Sequence, residues 1–284
     1  MSARRSCRVR SLRKRCSQRK ARLTTYDYSA MRVISQHGIA RVTLDNAPVN
    51  VLSLTLMTEL TDFLRVAADD AAIKVIIFDS ADPEFFIAHV DMTIAEVPNA
   101  LTKLQEISKP GLNPFQSLSE ALRHQPQVTI VKLAGMARGG GAEFVAAADM
   151  SFGAIGLVKL AHCEALMGIV PGGGGTQYLS YRMGRSRALE AILGAGLFDA
   201  ETAAQYGWIN RALPAEQLDS FVDRLAAEIA ALPEGVIRAA KHAVTPADFY
   251  DGLQRENDAW ASLVFQPNVV TLDGWSACAR CADA

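Results

Sequence analysis

The segment LAGMARGGGAEFVAAADM, residues 133–150, decides the fold. It begins at the end of a β-rich run, Val128–Leu133 (VTIVKL), and its Ala-rich second half reads as a helix running through Ala148. Between strand and helix stand Gly139, Gly140 and Gly141. Glycines at such a junction let a ligand come close to the backbone. The N–H groups that open a helix lack intrahelical partners and, with the helix dipole, favour negative charge. A phosphate or a developing oxyanion suits that place. The phosphate motifs fail in detail: no Gly-Lys-Ser/Thr follows, and no GxGxxG stands with a well-placed acid about twenty residues on. Alone, a triple glycine is also an ordinary tight turn.

Downstream, Gly168-Ile-Val-Pro-Gly-Gly-Gly-Gly-Thr-Gln177 forces a tight path into another helix. By itself it reads as a wide turn with a helix start. Glu164 lies just before it, in His162-Cys163-Glu164; a glutamate beside an apolar stretch is usually solvated or paired. Ser151–Ala154 and Leu157–Leu160 read as short strands. Beyond Gly175 the pattern turns helical, over about Thr176–Arg182, Arg185–Leu193, Ala200–Tyr206, Leu218–Ala231 and Pro233–Val244. Upstream, Ile39–Leu44, Lys74–Phe78 and Phe85–His89 read as strands. Ser53 caps a helix over about Leu54–Ala68, and Asn113–His124 is a second helix. Strand, strand, helix therefore recurs, and a helical region follows a mixed α/β core. Beyond Pro246 the pattern is indistinct.

Net charge over 284 residues is −1, but ten of the 29 basic residues lie in residues 1–22, which hold no acid. The remaining 19 face 30 acidic residues, so the rest of the chain carries −11 and is a poor nucleic-acid binder. The basic start resembles a transit peptide in its Arg and Ser content. Its only larger apolar residues, Met1, Val9 and Leu12, favour a solvated tail, or a translation start placed upstream of Met31. No apolar run reaches the roughly 18 residues that span a bilayer, so the chain reads as soluble. Cys7, Cys16, Cys163, Cys278 and Cys281 form no disulfide framework, which fits a reduced, intracellular setting. The lone CxxC at Cys278–Cys281 supplies two of the four ligands zinc wants, so no metal site is expected.

These pieces together resemble the crotonase (enoyl-CoA hydratase/isomerase) superfamily over roughly residues 32–245. The markers are APVNVL (47–52), FFIAHVDM (85–92), the segment 133–150, LAHCEALMGIVPGGGGTQYL (160–179), and GRSRALE with AETAAQYGWINRALP (184–190 and 200–214). The resemblance implies an α/β crotonase-like spiral of ββα units over 28–215. A basic tail over 1–27 and a helical C-terminal region for oligomerisation over 216–276 flank it. It implies an acyl-CoA thioester substrate, a homotrimer or homohexamer, no nucleic acid, no membrane and no cofactor apart from the substrate's own coenzyme A. Location is cytoplasmic, or the mitochondrial matrix if the basic start is a transit peptide.

Residue by residue, Gly140 and Val90 match the family's backbone oxyanion donors, and Glu143 and Glu164 match the two glutamates of its hydratases. Ala88, Val90, Asp91, Met92, Thr93 and Gly140 match substrate-binding positions. A thioester carbonyl gains charge when its conjugated double bond is attacked, and fixed backbone donors stabilise the enolate. Two carboxyl groups can then activate water and deliver a proton, with mutual repulsion keeping one protonated near neutral pH. Enoyl-CoA hydratase is the resulting expectation. An enoyl-CoA isomerase, which needs one acid/base, is the alternative on the same site. A non-catalytic acyl-CoA or RNA-binding member, with the basic tail as contact, is the alternative from another class. Three departures stand out. His89 replaces a usual glycine and would be strained if that position demanded positive φ; Arg138 precedes the glycines as an expected solvated side chain; and the family's usual C-terminal motif is not recognisable after residue 250.

Overall fold

The structure, a computed structural model, describes residues 24–244, 247–264 and 266; the tail through residue 23 and the Cys278–Cys281 pair lie outside them. The chain runs β1 (Thr24–Thr25), β2 (Met31–Gln36), β3 (Ile39–Leu44), α1 (Leu54–Asp69), β4 (Val75–Ser80) and β5 (Phe85–Ile87). It continues with α2 (Ala100–Glu106), α3 (Pro114–Arg123), β6 (Val128–Leu133), β7 (Met136–Arg138), α4 (Gly140–Ala147), β8 (Met150–Ala154) and β9 (Lys159–Ala161). The last part is α5 (Gly175–Met183), α6 (Arg185–Gly194), α7 (Ala200–Tyr206), β10 (Arg211–Leu213), α8 (Ala215–Ala230), α9 (Val236–Ala243) and α10 (Tyr250–Val264).

Two sheets form a spiral. The larger has the order β1-β2-β3-β4-β6-β8-β10 and is parallel from β3 onward; the smaller is β5-β7-β9, also parallel. Each successive strand pair sends one strand to each sheet, β4 then β5, β6 then β7, β8 then β9. This is the α/β crotonase-like arrangement expected of the sequence. The sheet starts at Thr24, paired with Ser35, so it begins inside the segment read as tail.

Alternation explains why β4 reads as an unbroken apolar run: both of its faces are buried. Ile76 and Phe78 face the main core with α1 and α4, while Val75 and Ile77 face α8 through Leu218, Val222 and Ala226. Helix α1 turns Leu56, Leu60, Phe63, Leu64 and Ala67 inward at helical spacing, and the Ser53 hydroxyl accepts from Leu56 N at 3.2 Å. Asn113 and Gln116 close a capping box on α3, which places that helix one residue inside each expected limit.

Helix α4 is buried along its whole length, which its small residues permit. Gly139 holds φ 50° and ψ −121°, a conformation open to glycine. A Cβ on Gly141 would fall 2.3 Å from Ile87 O, so strand β5 can lie directly against the helix start. Phe144 anchors the helix edge-on against Phe78, centroids 5.2 Å apart. Arg182 donates Nε to Ala146 O at 2.7 Å and Nη2 to Ala148 O, satisfying carbonyls that end the helix. Among the described residues no helix is long and apolar enough to cross a membrane.

Candidate active site

One cavity of about 330 Å³ opens where the start of α4 meets the loop after β5, the 3-10 turn Glu164–Met167 and the last helix, α10. Val90, Asp91, Met92, Gly140, Glu143 and Glu164 all line it. Ala88 and Thr93 do not. Ala88 is buried beside it, with its N–H donating to Val49 O at 3.3 Å, and the Thr93 N–H donates to Asp91 Oδ1 at 3.0 Å.

Two backbone donors remain open at the cavity wall. Residues 89–91 bridge to Leu52 through His89 O, which accepts from Leu52 N at 2.8 Å, and Asp91 N, which donates to Leu52 O at 3.2 Å. The intervening Val90 N–H therefore points the other way and, among the described residues, donates to no backbone carbonyl. Gly140 N, in the first turn of α4, has none either; the first bond of that turn is Glu143 N to Gly139 O at 3.0 Å. The two residues are close, since a Cβ on Gly140 would fall 2.7 Å from Val90 Cγ2.

His89 is not strained: the positive-φ residues other than glycine are His37, Asn50, Asn99 and Ala195 among those described. Its Nδ1–H donates to Val90 O at 2.7 Å, fixing the peptide unit that follows the one carrying the Val90 donor. Burial lowers the pKa of its ring, against that bond and with Arg138 adding to the fall, so the imidazole is neutral. Arg138 is not solvated as expected: it is buried, and Nε donates to Ala88 O at 3.3 Å. A buried charge needs such a partner, and a carbonyl just after the paired strand β5 supplies one.

The two glutamates come from different elements. Glu143, on α4, accepts through Oε1 from Gly173 N at 2.7 Å and Gly175 N at 2.9 Å. Burial, then the Glu164 and Glu256 carboxyls, push its pKa up to about 8, while His162 and the Gly175 amide pull the other way. Glu164 lies against the glycine turn: a Cβ on Gly139 would meet its Oε1 at 3.2 Å. His162 Nδ1 stands 3.2 Å from Glu164 Oε2 and 3.4 Å from Oε1.

Sequence reasoning missed three contributors. His162 was read only as a neighbour of Glu164. Glu256 reaches in from α10 and accepts from Gly174 N at 2.6 Å, Thr176 N at 3.0 Å, the Thr176 hydroxyl and Gln116 Nε2 at 3.2 Å. Trp260, one turn on, forms a cavity wall. The far walls are apolar: Ile94, Phe115, Met167, Ile169, Trp260 and Val264. Among the described residues no group of three or more His, Cys, Asp or Glu is placed to hold a metal ion.

A double-sheet spiral in which a buried helix start, two open amides and two carboxyls share an apolar cavity defines the crotonase class of fold. The chain belongs to the enoyl-CoA hydratase/isomerase family, whose model matches residues 35–264. It is 30% identical over 222 residues to the mitochondrial methylglutaconyl-CoA hydratase of Mus musculus, covering 76% of this chain and 69% of that one. It is 27% identical over 215 residues to the crotonyl-CoA hydratase of Syntrophomonas wolfei, covering 76% and 78%. A crystal structure provisionally described as an enoyl-CoA hydratase, from Streptomyces avermitilis, superposes with a TM-score of 0.84 at 60% identity, over 86% of this chain and 89% of that one.

Proposed function

We propose that this chain adds water across the double bond of a trans-2-enoyl-CoA. The observation that carries the reading is the meeting of Glu143 and Glu164, from separate elements, at one cavity wall with the open N–H groups of Val90 and Gly140. The thioester oxygen accepts from both amides, which are fixed before the reaction and need no reorganisation as charge develops. Water held between the two carboxyls attacks Cβ. One carboxyl takes the water's proton and the other delivers one to Cα. The raised proton affinity of Glu143 means that the site starts with a proton to give at neutral pH. The chemistry calls for no metal or redox cofactor; coenzyme A enters as part of the substrate.

The lining carries three acidic residues, Asp91, Glu143 and Glu164, and neither Lys nor Arg among the described residues, and the far walls are apolar. A neutral acyl chain therefore suits the cavity better than one ending in a carboxylate, whose burial without a cation is costly. Assembly as a trimer or a pair of trimers is part of the same reading. Tyr181 and Leu193, 65% and 63% exposed on α5 and α6, supply apolar surface for it, and sedimentation at micromolar concentration tests it.

The test incubates the protein with crotonyl-CoA, a medium-chain trans-2-enoyl-CoA and methylglutaconyl-CoA, following loss of the conjugated thioester absorbance. Hydration of the neutral substrates, with the carboxylate-bearing one slowest, is expected. No loss with any of the three refutes the reading. Migration of a double bond in place of its loss, with a 3-enoyl-CoA, marks the isomerase.

A further inference from the structure

Beside the carboxyl pair sits one imidazole that the hydration chemistry does not use. His162 directly follows β9, is fully buried, and does not line the cavity. Its ring stacks on Trp208, centroids 5.4 Å apart and planes within 6°. The stack fixes the ring plane, and Nδ1 meets the Glu164 carboxyl at 3.2 Å. Nε2 is buried with no hydrogen-bond partner among the described residues. A buried ring nitrogen without a protein partner is costly and is kept only where something else is gained.

The geometry points to His162 as a positioning residue of the active site: it holds the Glu164 carboxyl by its Nδ1–H from within a cluster of three buried carboxyls. This rests on the proposed hydratase reading. The titratable groups that face it are Glu164 on the neighbouring turn, Glu143 on α4 and Glu256 on α10; the remaining face is the neutral indole of Trp208. Burial opposes protonation of the ring, but these three carboxyls outweigh it, and His162 binds its proton more tightly than an ordinary histidine. A proton on Nδ1 also fits the contact, because a carboxylate only accepts. The buried Glu143 lies within the same field, and His162 draws its pKa down. The imidazole therefore acts on both carboxyls, holding Glu164 by contact and biasing Glu143 by charge.

Two substitutions separate contact from charge. His162→Asn sets an amide N–H close to the place of Nδ1 and removes the charge. His162→Leu fills the space and removes both. His162→Leu should lose about 10²-fold in kcat, the cost of letting a reacting group drift by ~1 Å, with KM nearly unchanged. His162→Asn should recover most of that rate at its own optimum. The limb of its kcat profile set by Glu143 should move to higher pH by about one unit, since a group that draws its pKa down has lost its charge. A profile for His162→Asn that superimposes on the wild type overturns the charge role. Equal losses in both variants with no shift would mean that the ring only packs, and the proposal falls. Independently of turnover, NMR of 13C-labelled histidine can follow the ring resonance that vanishes in His162→Asn. Its titration midpoint should lie above that of an ordinary histidine and drop in Glu164→Gln. If the wild type hydrates nothing while that drop is seen, the hydratase reading fails and the pairing stands. If the midpoint ignores Glu164→Gln, the pairing itself is overturned.

Discussion

Gly140→Ala tests the pair of backbone donors most directly. Gly140 does not occupy the left-handed region, so alanine fits its backbone. Alanine also favours a helix over glycine by roughly 0.5–1 kcal/mol, so folding should survive. The cost falls elsewhere. The new Cβ would stand 2.7 Å from Val90 Cγ2 and 3.3 Å from Leu52 Cδ2. The leucine tip can give by a few tenths of an ångström. Val90 must move by roughly 0.7 Å or more to restore ordinary contact, and its β-branched side chain is stiff at χ1. The push passes to the Val90 backbone, which carries the other donor, so one methyl group disturbs both amides. Losing one such donor typically costs about 10²–10³ in kcat, which at 1.36 kcal/mol per tenfold is roughly 3–4 kcal/mol of transition-state stabilisation. Steady-state hydration of crotonyl-CoA should therefore fall at least about 10²-fold, with the melting temperature close to wild type. Gly140→Ala combined with Val90→Ala removes the clashing Cγ2 and should restore most of the rate. Wild-type turnover by Gly140→Ala alone would refute the reasoning, because the thioester oxygen would then not depend on this pair.

Glu143→Gln and Glu164→Gln should each lose about 10²–10⁴ in hydration rate with acyl-CoA binding kept, measured by kinetics and calorimetry. The double variant should lose little more than the worse single, because the pair acts as a unit. Stability should depend on pH through Glu143. Its folded-state pKa, raised from 4.5 to about 8, keeps a proton that the unfolded chain has released. Its contribution is therefore complete below about pH 4.5 and is lost as pH rises through about 8, amounting to at most a few kcal/mol. Urea midpoints should show Glu143→Gln gaining on wild type between pH 5 and 8.5; a constant difference would place the proton elsewhere. Removing residues 1–23 while keeping Thr24–Thr25 should leave melting temperature and turnover unchanged, because ten like charges with few apolar residues favour a solvated segment.

Where the chain's periodicity matched one physical cause, it could be read. Buried strands β4 and β6 stood out because both faces meet apolar layers, and α1 because one stripe of it does. Strand β2 was overlooked although its signal was present: Met31 and Val33 are buried, Arg32 and Ile34 are not, and His37-Gly38 makes the turn to β3. Strand β7, three residues between Gly135 and Gly139, is too short to show a period. Helix α10 escaped for a different reason. Leu253, Glu256, Trp260 and Val264 fall at helical spacing on its inner side, but the second of them is an acid. An apolar-periodicity rule counts a buried carboxylate as a solvent position.

That same carboxylate explains the second glycine cluster, which reads from sequence as a turn. Successive amides there serve two acids in alternation: Gly173 and Gly175 donate to Glu143, Gly174 and Thr176 to Glu256. A Cβ on Gly173 would stand 2.4 Å from Glu143 Oε2, and one on Gly175 would stand 2.9 Å from Oε1. Those glycines are required because carboxyl groups occupy the space that side chains would need. Glu143 comes from the helix that Gly139 starts, and Glu256 from the last described helix, so the loop joins both to one run of backbone donors. The hydrogen bonds stabilise the charged forms while burial and mutual repulsion oppose them, and for both glutamates the opposition prevails. Proton affinity at the active site is consequently coupled to the seating of α10. A substitution such as Glu256→Gln removes a neighbouring charge that raises Glu143, and should lower the proton affinity of Glu143 without touching the cavity wall. Its signature is an alkaline limb of the hydration profile displaced to lower pH. An unmoved limb would show that α10 closes the cavity through Trp260 and Val264 alone.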